Sequence, residues 1–282
     1  MTGMYLIESL PEIKQLSQQL RQAGQTIGFV PTMGALHAGH LQLLQTARAE
    51  NDVVCCSIFV NPIQFNNPQD YQHYPRVVEE DVRILEEIRC DYLFLPAAAD
   101  MYPQPLGLTF HFGALETVME GAFRPGHFSG VATVVSKLFH LVSPHKAYFG
   151  QKDLQQYAII RQLVRDLNFN LDLVCHPIIR ENDGLAMSSR NRRLSEPERQ
   201  EAVQLYRALT LAQEWLQTKS VAEVKAAVAA YLQDYKHVRL EYFEVADANS
   251  LQPLASPDSS HGIALCIAAY LGSIRLIDNI II

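Results

Sequence analysis

Pro31-Thr32-Met33-Gly34-Ala35-Leu36-His37-Ala38-Gly39-His40 is the stretch that decides how this chain is read. Before it, Thr26-Ile27-Gly28-Phe29-Val30 is short, apolar and closed by a proline, the pattern of a buried strand. After it, Leu41, Leu43, Leu44 and Ala47 recur at helical spacing up to Glu50. The segment predicts a strand, a tight turn and a helix start. A helix start offers unpaired N–H groups and the positive end of the dipole, and both suit phosphate. Gly34 and Gly39 let backbone approach a ligand without a Cβ in the way. His37 and His40 are three apart, so on a first turn their rings lean the same way. Together these groups form a small anion cradle. The plainer alternative makes His37 a helix cap and His40 a partly exposed helix residue.

Composition narrows the classes. The chain has 282 residues, 48% of them hydrophobic and 19% charged, which fits a globular protein of one or two domains. A net charge of -7 argues against a nucleic-acid binder that works by neutralising phosphates. The cysteines, Cys55, Cys56, Cys90, Cys175 and Cys266, are odd in number and show no C-x-x-C spacing. They read as reduced, mostly buried hydrophobes. No basic segment leads into an apolar core near Met1, and no apolar run reaches membrane length. The expectation is a cytoplasmic protein with no membrane contact.

Outward from the opening stretch, strands and helices alternate. Ser9 and Glu12 form a capping-box pattern before a helix that Gly24 ends. Asp52 to Val60 is too apolar to alternate, as in a parallel sheet covered on both faces. The loop after it carries Gln64 at the strand edge where open α/β sheets bind ligands. Its amide has one acceptor and two donors, enough for a hydroxyl and a carboxylate. Arg76 to Cys90 predicts a helix, Asp91 to Leu95 a strand, and Leu108 to Phe112 a further strand. Gly121 to Gly130, with three glycines, Pro125 and His127, predicts a long loop over a site, followed by a helix over Val131 to Val142. Lys146 to Phe149 is another strand, and Gly150-Gln151-Lys152-Asp153 leads into a helix that carries Gln156. A lysine at a helix start opposes the dipole, and a bound polyanion would offset that. Leu171 to Ile179 is the next strand. Ser188, Ser189 and Arg190 then place two hydroxyls beside a forked donor, a phosphate grip or a helix cap.

Beyond residue 186 the alternation stops. Ser195 with Glu198 and Ser220 with Glu223 cap two helices, and three strands follow. The division predicted is an α/β domain over 1–185 and a smaller α+β domain over 186–282.

Five stretches taken in order resemble one family: Pro31 to His40, Phe59 to Phe65, Arg124 to Phe128, Phe149 to Gln156, and Asp183 to Asn191. The closing Arg275-Leu276-Ile277-Asp278-Asn279 matches as well. The chain is similar throughout to the pantothenate synthetases, the ATP-dependent pantoate–β-alanine ligases. That resemblance implies a Rossmann-like domain of the H-x-G-H nucleotidyltransferase type, a C-terminal lid domain and a homodimer. It implies that pantoate and β-alanine join to pantothenate through a pantoyl adenylate, with AMP and diphosphate released. ATP contacts carried over by motif fall on Met33, Gly34, Ala35, Leu36, His37, Ala38, Gly39 and His40, on Gly150, Gln151, Lys152 and Asp153, on Ile179, and on Met187, Ser188, Ser189 and Arg190. His40 matches the histidine assigned as proton donor. Gln64 and Gln156 match the pantoate-binding glutamines, with Gln64 also toward β-alanine. The chain departs from the pattern at Ala38 and Gln151, where acids are frequent, and at Arg193, where an aromatic is expected.

The residues agree with that chemistry. When a carboxylate attacks the α-phosphorus, charge grows on phosphoryl oxygens and on departing diphosphate. His37, His40, Lys152, Arg190 and the helix starts are the groups able to meet it. Mg²⁺ should accompany ATP, held chiefly by phosphates, with Asp153 or Asp81 as open alternatives for an assisting carboxylate. Two rivals stand beside this reading. One is an adenylyltransferase that stops at the nucleotidyl product; the other is a nucleotide-sensing or tRNA-binding module.

Overall fold

The computed structural model describes residues 3–282. The chain forms two compact units. The first comprises residues up to Phe112, Arg124–Gly150 and Ile159–His176; the second comprises Gly113–Phe123, Gln151–Ala158 and Pro177–Ile282.

The first unit is built on six parallel strands: β1 (Tyr5–Ile7), β2 (Ile27–Thr32), β3 (Val53–Ile58), β4 (Tyr92–Phe94), β5 (Lys146–Gly150) and β6 (Asp172–His176). Their order is β1-β4-β3-β2-β5-β6. Every residue of β3 is buried, which explains its lack of alternation. The connecting helices are α1 (Leu10–Gln22), α2 (Ala38–Glu50), α3 (Pro68–Gln72), α4 (Val78–Glu87) and α5 (Ala98–Met101). The next helix, α6 (Met119–Phe123), falls in the second unit, and α7 (His127–Val142) returns to the first. On one face Val30, Val54, Cys56 and Leu93 pack with Leu43, Leu44, Ala47 and Leu85 from α2 and α4. Strand order reverses between β2 and β5, which pair in parallel and so end on one edge. In such sheets the crevice beyond that reversal is where ligands bind.

The second unit holds α6, the start of α8 (Leu154–Asp166), and three helices, α9 (Glu196–Ala202), α10 (Gln204–Trp215) and α11 (Val221–Gln233). These are followed by the antiparallel sheet β7 (Val238–Asp247), β8 (Ile263–Leu271) and β9 (Ile274–Ile281). Leu205, Leu209, Val224 and Val228 from the helices pack with Val245, Leu265, Ile267 and Leu276 from the sheet. Both capping boxes, at Ser195–Glu198 and Ser220–Glu223, are formed.

Two expected elements differ. Leu108 to Phe112 joins no strand ladder; the Phe110 N–H donates instead to Ser129 Oγ at 3.0 Å. The stretch Gly121 to Gly130 is not a long loop, because α6 ends at Phe123 and α7 starts at His127. Gly121 and Gly130 serve close packing, whereas Gly126 has open space around it and takes φ +79° ahead of α7. A Cβ on Gly121 would stand 2.1 Å from Glu116 O, and one on Gly130 would stand 2.6 Å from Ile63 O. Among the described residues no helix is long and apolar enough to cross a membrane.

Candidate active site

The turn after β2 is held from three sides. Thr32 Oγ1 donates to Ser57 O at 2.8 Å and accepts the Gly34 N–H at 3.1 Å. Gly34 has φ +78° and Ala35 φ +50°, so the backbone turns sharply through the left-handed region. The N–H groups of Ala35 and Leu36 both donate to the carboxylate of Asp81, at 2.9 and 2.7 Å. Asp81 lies on α4 and is buried. Gly34 leaves room for this brace, since a Cβ there would stand 2.9 Å from Asp81 Oδ2.

His37 then caps α2. Its Nδ1 accepts the Gly39 N–H at 3.2 Å, and His40 Nδ1 accepts the His37 N–H at 3.3 Å. The two imidazoles complete a reciprocal capping box with ring centroids 4.0 Å apart. Because both Nδ1 atoms accept, each neutral ring carries its proton on Nε2 and presents a donor there. Gly39 has a related duty: a Cβ on it would stand 2.9 Å from His37 Cε1. Thus Gly34 and Gly39 make room for protein groups, and the capping role of His37 coexists with the cradle.

Gln64 sits near the turn, buried in a single 3₁₀ turn over Pro62–Gln64. Its Oε1 accepts from Asn61 Nδ2 at 2.9 Å, and its Nε2 approaches Met33 Sδ at 3.2 Å. Asn61 is itself held, accepting from Tyr102 Oη at 2.8 Å and donating to Gly130 O at 3.1 Å. His127 Nδ1 lies 2.8 Å from Gln64 O and must carry the proton there. The amide of Gln64 is thereby fixed, with its oxygen on Asn61 and one N–H on Met33 Sδ. Asn61 and Tyr102 were not singled out from sequence, and His127 was noted only as part of the Gly121–Gly130 stretch. Asn61 follows a strand directly, and that position is the one signal pointing to it.

In the second unit, Gln151–Asp153 form a 3₁₀ turn leading into α8. Lys152 Nζ lies 3.5 Å from Asp153 Oδ2, with the lysine side chain mostly buried and the aspartate half exposed. Gln156, in the first turn of α8, is half-buried. Its neighbour Gln155 is committed elsewhere: its Oε1 accepts the Glu120 N–H at 2.9 Å, and its Nε2 donates to Leu115 O and Val118 O. The Met187 N–H donates to Ile179 O at 3.0 Å, which brings those two residues together across a short bridge. Ser188 Oγ accepts the Arg190 N–H at 3.3 Å and so caps a 3₁₀ turn, while Ser189 is buried.

One acid takes a part the sequence left open. Asp81 accepts two buried N–H groups, one on each oxygen, and so braces the turn. Among the described residues no cluster of three or more His, Cys, Asp or Glu could hold a metal ion.

The family described as pantoate-beta-alanine ligase matches residues 5–281. A pantothenate synthetase of Cytophaga hutchinsonii is 46% identical over 281 residues, covering 99% of each chain. One from Thermotoga neapolitana is 45% identical over 281 residues, 99% of this chain and 100% of its own. Among solved structures, a pantothenate synthetase of Thermus thermophilus superposes with a TM-score of 0.90 at 43% identity, covering 98% and 99% of the two chains. The pantoate-beta-alanine ligase of Francisella tularensis, solved with beta-gamma ATP and beta-alanine, gives 0.81 at 36% identity over 99% and 98%.

Proposed function

The chain belongs to the pantoate–β-alanine ligase family, and we propose that it is an enzyme joining pantoate to β-alanine at the expense of ATP. The observation that carries this reading is the turn after β2: two imidazoles at a helix start, both with Nε2 as donor, on a backbone pinned by a buried carboxylate.

A carboxylate is a poor acyl donor until one oxygen becomes a good leaving group. Pantoate oxygen attacks the α-phosphorus, an acyl–phosphate bond forms, and diphosphate leaves with the electron pair of the broken P–O bond. His37 and His40 donate to phosphoryl oxygens as charge grows, with His40 the proton donor to the departing group. Lys152, with its ammonium already beside the Asp153 carboxylate, neutralises the triphosphate. Arg190 with Ser188 and Ser189, the backbone from Met33 to Gly39 and from Gly150 to Asp153, and Ile179 and Met187 complete the nucleotide contacts. Rigid donors aimed at developing charge are worth several kcal/mol per group.

Gln64 and Gln156 orient pantoate. The fixed amide of Gln64 offers N–H to the carboxylate or hydroxyl, and its position also serves β-alanine. In the second step the neutral amine of β-alanine attacks the acyl carbon, AMP leaves and pantothenate is formed. No side-chain nucleophile is needed. Mg²⁺ travels with ATP as part of the substrate, with Asp153 the carboxylate beside it. Residues 186–282 act as a lid that excludes water from the adenylate. The protein works in the cytoplasm as a homodimer, which sedimentation at micromolar concentration would check.

AMP formation measured with ATP alone, with pantoate added, and with both pantoate and β-alanine tests this function. Sustained turnover should need all three. Turnover without β-alanine would point instead to an adenylyltransferase that stops at the nucleotidyl product.

A further inference from the structure

The end of β9 carries two buried polar residues that no catalytic step above uses. Asp278 accepts a two-pronged grip from Arg180, at 2.7 and 2.9 Å. Burial pushes its carboxyl above the ordinary value, and Arg180 opposes that shift. Arg180 also donates to Gly184 O at 3.0 Å and to Asn279 O at 3.2 Å, and it stacks 3.9 Å over Tyr206. This fixes the backbone of Asn279. The Asn279 side chain in turn spends its donors on one place. Its Nδ2 donates to Gln151 O and to Lys152 O, both at 3.0 Å, and its Oδ1 accepts from Gln151 Nε2 at 3.1 Å.

We infer that Asn279 is a positioning residue for Lys152: its amide clamps the Gln151–Lys152 turn onto β9 and so sets where the lysine ammonium stands. The physical case is specific. An amide has two N–H donors, and both go to consecutive carbonyls of the lysine turn. Asn279 is 3% exposed, so water cannot replace it. A lysine side chain has four rotatable bonds, and its ammonium finds one place only if its backbone is first held. Misplacing a charged donor by about 1 Å can cost on the order of a hundredfold in rate. The clamp touches no substrate and acts only through Lys152. The inference rests on the assignment of Lys152 to the triphosphate made above.

The test separates the two half-reactions. Single-turnover adenylation is measured with ATP and pantoate, and aminolysis with preformed pantoyl adenylate and β-alanine. Asn279→Ala should slow adenylation about 10- to 100-fold while aminolysis stays within about threefold. A residue that merely stabilised the fold would lower both steps alike, through less folded protein. In the pair Lys152→Gln and Lys152→Gln/Asn279→Ala, adenylation rates should agree within about threefold, because a clamp has no effect once its lysine is gone. If Lys152→Gln leaves adenylation intact, the lysine assignment fails and takes the clamp with it. If Lys152→Gln impairs adenylation but Asn279→Ala does not, or if the two losses multiply, the clamp alone is overturned. Should Asn279→Ala not fold, Asn279→Ser, which keeps one donor, is measured in the same way. Failure of both variants to fold makes Asn279 a folding residue and overturns the inference.

Discussion

At the scale of single residues, the site depends on groups that hold other groups. In the proposed function His40 meets charge that grows only as the reaction proceeds, so His40→Ala should lose about 10²- to 10³-fold in kcat with the fold retained. Steady-state kinetics beside a circular-dichroism melt would check this, and a rate near wild type would remove His40 from that role. Asp81 answers to a different measurement. Its removal leaves the buried N–H groups of Ala35 and Leu36 without their acceptor, and each such loss costs about 1–3 kcal/mol. Asp81→Ala should therefore lower the midpoint of urea unfolding, by about 2–4 kcal/mol of stability, and reduce activity further by loosening the turn. Asp81→Asn keeps one acceptor and should lie between. The two histidines and glycines were legible in the sequence because their spacing alone suggests a tight helix start. The reason for Gly34 was not. Its neighbour Asp81 lies 47 positions on, on another helix, and no local pattern predicts that approach.

Individual elements show how far periodicity carries. The strands β2, β3 and β4 were readable because buried parallel strands are mostly apolar, and β5 and β6 because each has an apolar centre, although no residue of the edge strand β6 is buried. The caps at Ser195 and Ser220 were readable because a capping box is entirely local. Ser220 Oγ accepts the Glu223 N–H and its backbone N–H bonds the Glu223 carboxylate, so Ser220→Ala should cost about 1 kcal/mol in thermal unfolding. Leu108 to Phe112 misled because its apolar residues mark neither a strand nor burial: Leu108 is exposed and only Phe112 of the five is buried. Gly121 and Gly130 misled because they serve close packing against Glu116 O and Ile63 O, and packing partners are not visible along the chain.

The turn after β7 supplies a pH signature. The Ser259 hydroxyl and the N–H of Ser250 donate to Asp247 and hold its carboxyl far below the ordinary carboxylate range. A lowered folded value means the stabilisation is complete above about pH 4, the unfolded carboxyl value, and is lost as pH falls below it. Urea midpoints recorded from about pH 6 down to about pH 2 should fall less steeply for Asp247→Asn than for wild type. Equal acid slopes would show that this carboxylate gains nothing on folding.

For the whole molecule, the alternation of strand and helix followed by helices and an antiparallel sheet was enough to anticipate a parallel-sheet unit and a smaller α+β unit. The membership of the units was less readable. Gly113–Phe123 and Gln151–Ala158 cluster with the C-terminal residues although they lie among the segments of the parallel sheet. Part of the reason is chemical: Gln155 and Asn279 hold these segments through side-chain amides, and an amide's partner carries no periodic trace. The buried thiols give a global check on integrity. Burial pushes Cys90 and Cys266 up to about 12 and Cys175 up to about 11. Alkylation of the native protein at about pH 7 should therefore be slow and should reach the half-buried Cys175 first. Early labelling at Cys55 or Cys56 would mean the parallel sheet opens.

In the function proposed here, His40 after β2 and Lys152 after β5 bind one triphosphate. A crystal structure with a non-hydrolysable ATP analogue and pantoate tests it most directly. Phosphate oxygens should lie within about 2.7–3.2 Å of both His40 Nε2 and Lys152 Nζ, with the Gln64 amide on the pantoate carboxylate or hydroxyl. A triphosphate bound away from His37 and His40, or one that Lys152 does not touch, would contradict it.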